Sequence, residues 1–238
     1  VMNGRIGREA ALTPAEREAV RAYRVAGAVA AVSRHAPEVQ EPEGEPLCHV
    51  VLWDFGAKEN IEKCLLNYGC EVICVPSFAT AEQILSYEPE GVMLSNGPGD
   101  PAENVEVIEE LKKLCAAKIP IMGICLGHQL MAVAAGGTIV KLPVGHRGSN
   151  QPVRDAHSGR VMVTEQNHGY TVEEGSLPPE RADAFLRNVN DGTIEGIRYL
   201  DHPVFTVQFE PSDGNGYQDT AWVFDEWVRL MEEQKSRA

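Results

Sequence analysis

The 238 residues are 43% apolar and carry 35 acidic against 21 basic side chains, for a formal charge of −14. A chain of this length and apolar content buries a sizeable core, while its negative balance argues against a nucleic-acid or anionic-membrane surface and favours a small molecule or a protein as partner. No apolar run approaches membrane-spanning length, and no basic segment leading into an apolar stretch and a small-residue cleavage site opens the sequence.

Residues 1 to 46 differ in character from the rest. Thr13 reads as a helix N-cap, with Pro14 at the first helical position and Glu16 closing a capping box, so a helix is expected to about Ser33, interrupted at Gly27. Pro37, Pro42 and Pro46 then alternate with Glu38, Glu41, Glu43 and Glu45. That composition predicts an extended linker and puts a domain boundary near Glu45, leaving residues 1–46 and 47–238 as the two units.

From Leu47 onward, apolar runs alternate with amphipathic stretches, the pattern of βαβ units. Strands are expected at 48–53, 71–75, 91–94, 119–124, 137–141, 160–164, 194–199 and 203–208. Helices are expected at 58–68, 80–87, 103–116 and 127–135, with a closing amphipathic helix from Asp219 to Lys235 that offers Trp222, Phe224, Trp227 and Leu230 to the core. The fold class is therefore α/β, an open doubly wound, mostly parallel sheet with helices on both faces. Ligands of such sheets bind at the carboxyl ends of the strands. Six cysteines without paired short spacings, among them Cys64, Cys70, Cys74 and Cys115 inside apolar patterns, read as reduced core residues of a cytoplasmic protein rather than zinc ligands or disulfides.

Three constellations fall at strand ends. Gly123-Ile-Cys-Leu-Gly127-His-Gln129 places Cys125 between glycines where an apolar strand turns into a helix, the setting of a nucleophile elbow. A thiol there faces a helix N-terminus, which favours the attacking thiolate. In Ser95-Asn-Gly-Pro-Gly-Asp-Pro101, Gly97 and Gly99 let backbone N–H groups approach a ligand and donate to a developing oxyanion; on its own the loop reads as an ordinary turn, and its pairing with the cysteine elbow carries the functional reading. In the loop expected at Gln166-Asn-His-Gly-Tyr170, Asn167 and the backbone at Gly169 suit the polar ends of an amino acid. His168 there is either a structural residue or a base, and Gln129 lies one helical turn past the cysteine.

Together with Gly145-His-Arg-Gly148 and Asp54-Phe-Gly-Ala-Lys58, these segments resemble the class I glutamine amidotransferase domain of carbamoyl-phosphate synthetase small chains, over about His49 to Met231. Residues 1 to 46 resemble the tail of that family's preceding domain. The resemblance implies a flavodoxin-like fold and hydrolysis of the glutamine side-chain amide through a Cys125 thioester, with ammonia passing to a large synthetase chain that uses ATP and Mg. It implies no cofactor or metal in this chain. On that pattern Gly97 and Leu126 donate to the oxyanion, and Gly99, Gln129, Asn167, Gly169 and Tyr170 line the glutamine pocket.

One segment departs from the family. Where the family's His-Pro-Glu turn follows the strand ending Val207-Gln-Phe209, this chain has Glu210-Pro-Ser212, so Glu210 stands at the position of the catalytic histidine and Ser212 at that of the glutamate. Glutaminase activity is expected to be weak or lost. The alternative is a non-catalytic glutamine-binding or docking module.

Overall fold

The computed structural model describes residues 3–7, 11–212 and 217–236. Residues 213–216, which directly follow Glu210-Pro-Ser212, lie outside the described residues.

The capping box at Thr13 forms as read, with the Thr13 side chain on the Glu16 N–H, and starts helix α1 (Pro14–Ala22). That helix is shorter than expected. Residues 23 to 27 unwind before α2 (Ala28–Val32), and Gly27 enters it with φ +61°, a left-handed conformation that ends a helix. The Pro/Glu segment read as a linker holds a short strand, β1 (Glu38–Gln40), which adds antiparallel to the sheet edge. Its anchor is electrostatic. Arg34 lies 2.5 Å from Glu62 and its backbone N–H donates to Asp54, so the segment lies against charged groups that composition alone does not pair.

The remaining elements follow the βα alternation: β2 (Cys48–Asp54), α3 (Glu59–Asn67), β3 (Cys70–Pro76), α4 (Ala81–Leu85), β4 (Gly91–Leu94), α5 (Val105–Ala116), β5 (Ile121–Ile124), α6 (Leu126–Ala134), β6 (Ile139–Asp155), β7 (Val161–Val172), β8 (Ala182–Asn188), β9 (Ile194–Tyr199), β10 (Val204–Val207), α7 (Tyr217–Thr220) and α8 (Trp222–Lys235). Among the described residues they form one sheet in the order β1-β3-β2-β4-β5-β10-β9-β8-β6-β7. Its centre, β3-β2-β4-β5-β10, is parallel, and β9-β8-β6-β7 extend it as an antiparallel wing.

The parallel strands are buried on both faces, which is why they read as unbroken apolar runs. Alternate residues feed two cores. Val51, Trp53, Ile73 and Val75 pack with α4, α5 and α6, whereas Val50, Leu52, Val72 and Cys74 pack with α3 and α8, where Phe224 and Trp227 are buried.

The wing departs from expectation in three places. Strand β6 runs well past its apolar start, Ala182–Asn188 is a strand absent from the sequence reading, and Gln166–Tyr170 lies inside β7 rather than in a loop. Antiparallel pairing against β6 supplies the partners, with His146 opposite His168 and Arg147 opposite Asn167. The register shifts between Lys141 and His146 and between Gly148 and Gln151, bulges that break the alternation sequence reading relies on.

Candidate functional site

The sharpest backbone feature is Cys125, between β5 and α6, with φ +51° and ψ −99°. A residue with a Cβ occupies such a conformation only when its surroundings impose it. Here Cys125 N–H donates to Val207 O at 2.9 Å, and Gly127 N–H donates to Ser95 O at 3.1 Å. The flanking glycines answer to space. A Cβ on Gly127 would lie 2.4 Å from Leu94 O, and one on Gly123 would lie 2.9 Å from the Gly127 carbonyl.

The glycine loop after β4 is built to the same tolerance, since a Cβ on Gly97 would meet Phe55 O at 2.4 Å. Asp54, Ser95 and Asn96 fix the loops against one another. Asp54 accepts from Gly56 and Ala57 N–H, Ser95 Oγ accepts from Phe55 N–H at 2.8 Å, and Asn96 Oδ1 accepts from Lys58 N–H at 3.1 Å.

A cavity of about 1260 Å³ opens over these strand ends, and Gly97, Gly99, Cys125, Gln129, Asn167, Gly169, Tyr170 and Glu210 all line it. Arg17, Arg21 and Arg24, in and just after α1, close one side. Asn167 is exposed toward the space. Leu126 is buried, and its backbone N–H faces the Cys125 sulfur and favours the thiolate. Gln129 is held in place by its amide, which donates to Tyr170 O at 3.0 Å and to Gln208 Oε1 at 2.9 Å. Tyr170 OH donates to Asp100 at 2.9 Å, tying β7 to the glycine loop.

At the end of β10, Glu210 and Ser212 are both buried, 7% and 8% exposed. Ser212 turns back on Glu210, its hydroxyl donating to Oε1 at 2.7 Å and its N–H at 3.3 Å. Glu210 N–H donates to Glu165 O at 2.9 Å, which docks this turn on β7. Lys58 reaches into the same corner, with Nζ 3.7 Å from Glu165 and 4.0 Å from Glu210. Sequence reading assigned Lys58 no role; its only signal was its place in the Asp54-Phe-Gly-Ala-Lys58 segment.

The electrostatics reverse one expectation. Burial, and then the negative charge of Glu210, push the Cys125 thiol up to about 12, against the opposing pull of the Leu126 N–H and Lys58. The helix N-terminus does not deliver a thiolate here, because burial disfavours the charged form and the carboxylate beside it disfavours a second negative charge.

His168 is buried at the cavity wall, with both ring nitrogens engaged. Its Nδ1 lies 2.8 Å from Tyr170 O and its Nε2 lies 3.0 Å from Gln166 Oε1, and burial pushes it down to about 4. His146, His168 and Glu195 each bring one donor atom within 4.8 Å of the others, the arrangement that comes nearest to a cation site among the described residues. All three are taken up in one hydrogen-bond network. His146 Nδ1 lies 2.9 Å from Gln166 Oε1 and its Nε2 lies 2.8 Å from Asp191, while Glu195 accepts from Gln166 Nε2 at 2.9 Å. The network braces β6, β7 and β9 beneath Asn167 and Gly169.

Residues 51–230 match the family model described as glutamine amidotransferase class-I. A carbamoyl phosphate synthase small chain of Symbiobacterium thermophilum is 45% identical over 216 residues, covering 90% of this chain and 58% of that one. One of Bacillus caldolyticus is 49% identical over 184 residues, covering 77% and 50%. A carbamoyl phosphate synthase pyrimidine-specific small chain of Halalkalibacterium halodurans is 48% identical, covering 79% and 52%. The chain thus spans about half the length of the curated relatives it matches. Among solved structures, a putative GMP synthase subunit protein of Thermoplasma acidophilum superposes with a TM-score of 0.71 at 19% identity, over 81% of this chain and 98% of that one. A glutamine amidotransferase of Thermotoga maritima superposes at 0.55 and 17%, over 80% and 84%. At these identities the superpositions speak to the fold.

Proposed function

The chain belongs to the class-I glutamine amidotransferases, and from that premise we propose that it is the glutaminase portion of a carbamoyl-phosphate synthetase small chain whose amide hydrolysis is weak or lost. Cys125 is the nucleophile. Its sulfur attacks the side-chain carbonyl of glutamine, the oxyanion is met by the N–H groups of Gly97 and Leu126, and Gln129, Asn167, Gly169, Tyr170 and the Gly99 loop hold the rest of the substrate. Ammonia then leaves with a proton, water cleaves the thioester, and glutamate is released. The partner is a cytoplasmic large chain that uses ATP with Mg to join the ammonia to bicarbonate. Residues 1–46 form the tail of the preceding domain, and α1 closes the cavity from that side.

The observation that carries the loss is Glu210. It is buried, it stands at the family's imidazole position on the resemblance of this turn, and its charge adds to the burial that raises the Cys125 thiol from its ordinary 9 to about 12. The thiolate fraction at neutral pH is lower by about a thousandfold. Both later steps also lack a proton carrier, and removing the base from a triad costs about 10⁴ to 10⁶ in kcat. Ser212 satisfies Glu210 rather than orienting a base.

A second reading, a module that binds glutamine or docks a partner without hydrolysis, is favoured by the intact cavity beside a missing base. The deciding experiment is release of glutamate and ammonia from glutamine, with Cys125→Ala as blank and Glu210→His/Ser212→Glu as the repaired enzyme. Release near the blank in the natural chain and well above it after repair supports the glutaminase reading. Ordinary rates in the natural chain overturn the loss. No release from the repaired variant, together with calorimetric binding of glutamine, supports the non-catalytic module.

A further inference from the structure

Far from the cavity, at the opening residues of β2 and β3, Cys48 and Cys70 are direct neighbours in the parallel register. Neighbouring strands lie about 4.8 Å apart, inside the Cα separation of about 4.4 to 6.8 Å that a disulfide spans. The two sulfurs are already 3.0 Å apart. The corner is held from both sides, since Leu47 N–H donates to Gly69 O at 2.8 Å and Gly69 turns with φ +76° against the Leu47 side chain. Cys70 is fully buried and Cys48 half-buried, so one sulfur is reachable and the other waits behind it.

We propose that Cys48 and Cys70 are a modification site, a thiol pair that a hydroperoxide converts to an intramolecular disulfide. The Cys48 sulfur attacks the peroxide: an S–O bond forms, the O–O bond breaks, and the departing oxygen takes a proton to leave as an alcohol or water. The Cys70 sulfur then attacks the sulfenic sulfur of Cys48; the S–S bond forms and hydroxide leaves with the Cys70 proton as water. The two thiols lose two electrons and the peroxide gains them.

Cys74, Cys115 and Cys125 are poorer targets. Burial pushes Cys74 up to about 12 and Cys115 up to about 11, and Cys125 stands at about 12, whereas the hydrogen bond with Cys70 holds Cys48 below its ordinary value. Cys48 and Asp54 are the two ends of a seven-residue strand, so the bond would form roughly 20 Å from the cavity.

The test is non-reducing peptide mapping of the full chain after treatment with hydrogen peroxide. The expected result is a Cys48–Cys70 linked peptide pair, a mass lower by two hydrogens, a fall of two from six titratable thiols, and reversal by dithiothreitol. Cys48 carrying two or three oxygens without a link, or oxidation of Cys125 ahead of Cys48, overturns the proposal. In Cys70→Ala, Cys48 should stop at a sulfenic acid captured by dimedone. In Cys48→Ala, which changes a half-buried position and tolerates substitution better, Cys70 should stay reduced; its oxidation there also overturns the proposal.

Discussion

Strands β5 and β10 lie side by side in parallel register, and their carboxyl ends treat the same cavity differently. After β5 the chain makes a strained turn at Cys125, enforced by contacts around Gly123 and Gly127 that leave no room for a side chain. After β10 the backbone keeps its docking, with Val207 O receiving the Cys125 N–H and Glu210 N–H bonded to Glu165 O, yet the side chain delivered there is a carboxylate. Scaffold and chemistry are separable: one strand end is fixed by sterics that tolerate no change, and the other is held by main-chain bonds that any side chain permits.

The largest effect should come from changing side chains at the permissive end. Glu210→His/Ser212→Glu should raise glutamine-dependent ammonia release by about 10⁴ over the natural chain, the lower end of what removal of a triad base costs. A rise below about twofold in a variant of unchanged stability would mean that the two ends are not chemically complementary.

The steric end should respond in stability instead. Gly127→Ala places a methyl 2.4 Å from Leu94 O, and should cost about 2 to 4 kcal/mol in urea unfolding. Pro211→Ala, in the turn after β10, should cost about 1 kcal/mol or less. Equal costs would erase the contrast between the two ends.

A smaller effect links them. Glu210→Gln removes the negative charge that raises the Cys125 thiol, and Lys58→Met removes an opposing positive one. Iodoacetamide alkylation of Cys125 at about pH 8 should therefore quicken about tenfold in the first and slow severalfold in the second. Unchanged rates would show that burial alone sets the thiol.

The smallest effects lie in the network beneath the pocket. Bonds to Glu195 and Asp191 raise His146 from 6.5 to about 9, so its contribution to stability is fully present below pH 6.5 and is lost as pH rises through 9. His168 is pushed from 6.5 down to about 4 by burial, so the folded state loses stability as pH falls from 6.5 toward 4. Urea midpoints should decline on both limbs, and His146→Gln should flatten the alkaline one far more than the acid one, where His146 contributes only through its charge on His168.

The parallel centre was legible because strands buried on both faces must be apolar there, as 50–53 and 91–94 are. The elbow was legible because only glycines fit around Cys125. The wing was not, since the second half of β6 is polar, largely exposed and bulged and β8 is only partly apolar and irregular in register, and their strand character comes from pairing, β6 with β7 and β8, and β8 with β6 and β9. Nor was the edge strand at 38–40, whose place depends on Arg34 meeting Glu62.

The sequence by itself determined the doubly wound centre, the cysteine turn, the glycine loop and the presence of a carboxylate, Glu210, just after β10, because local sterics and residue identity suffice for each. Tertiary structure decided the charge state of that cysteine. A thiol at a helix N-terminus favours thiolate only while its surroundings are polar and carry no negative charge, and the folding of β10 against β5 encloses it and sets Glu210 beside it. Tertiary structure also brought Lys58 into the site, since proximity between residues 58, 165 and 210 arises only once the start of α3, strand β7 and the turn after β10 meet.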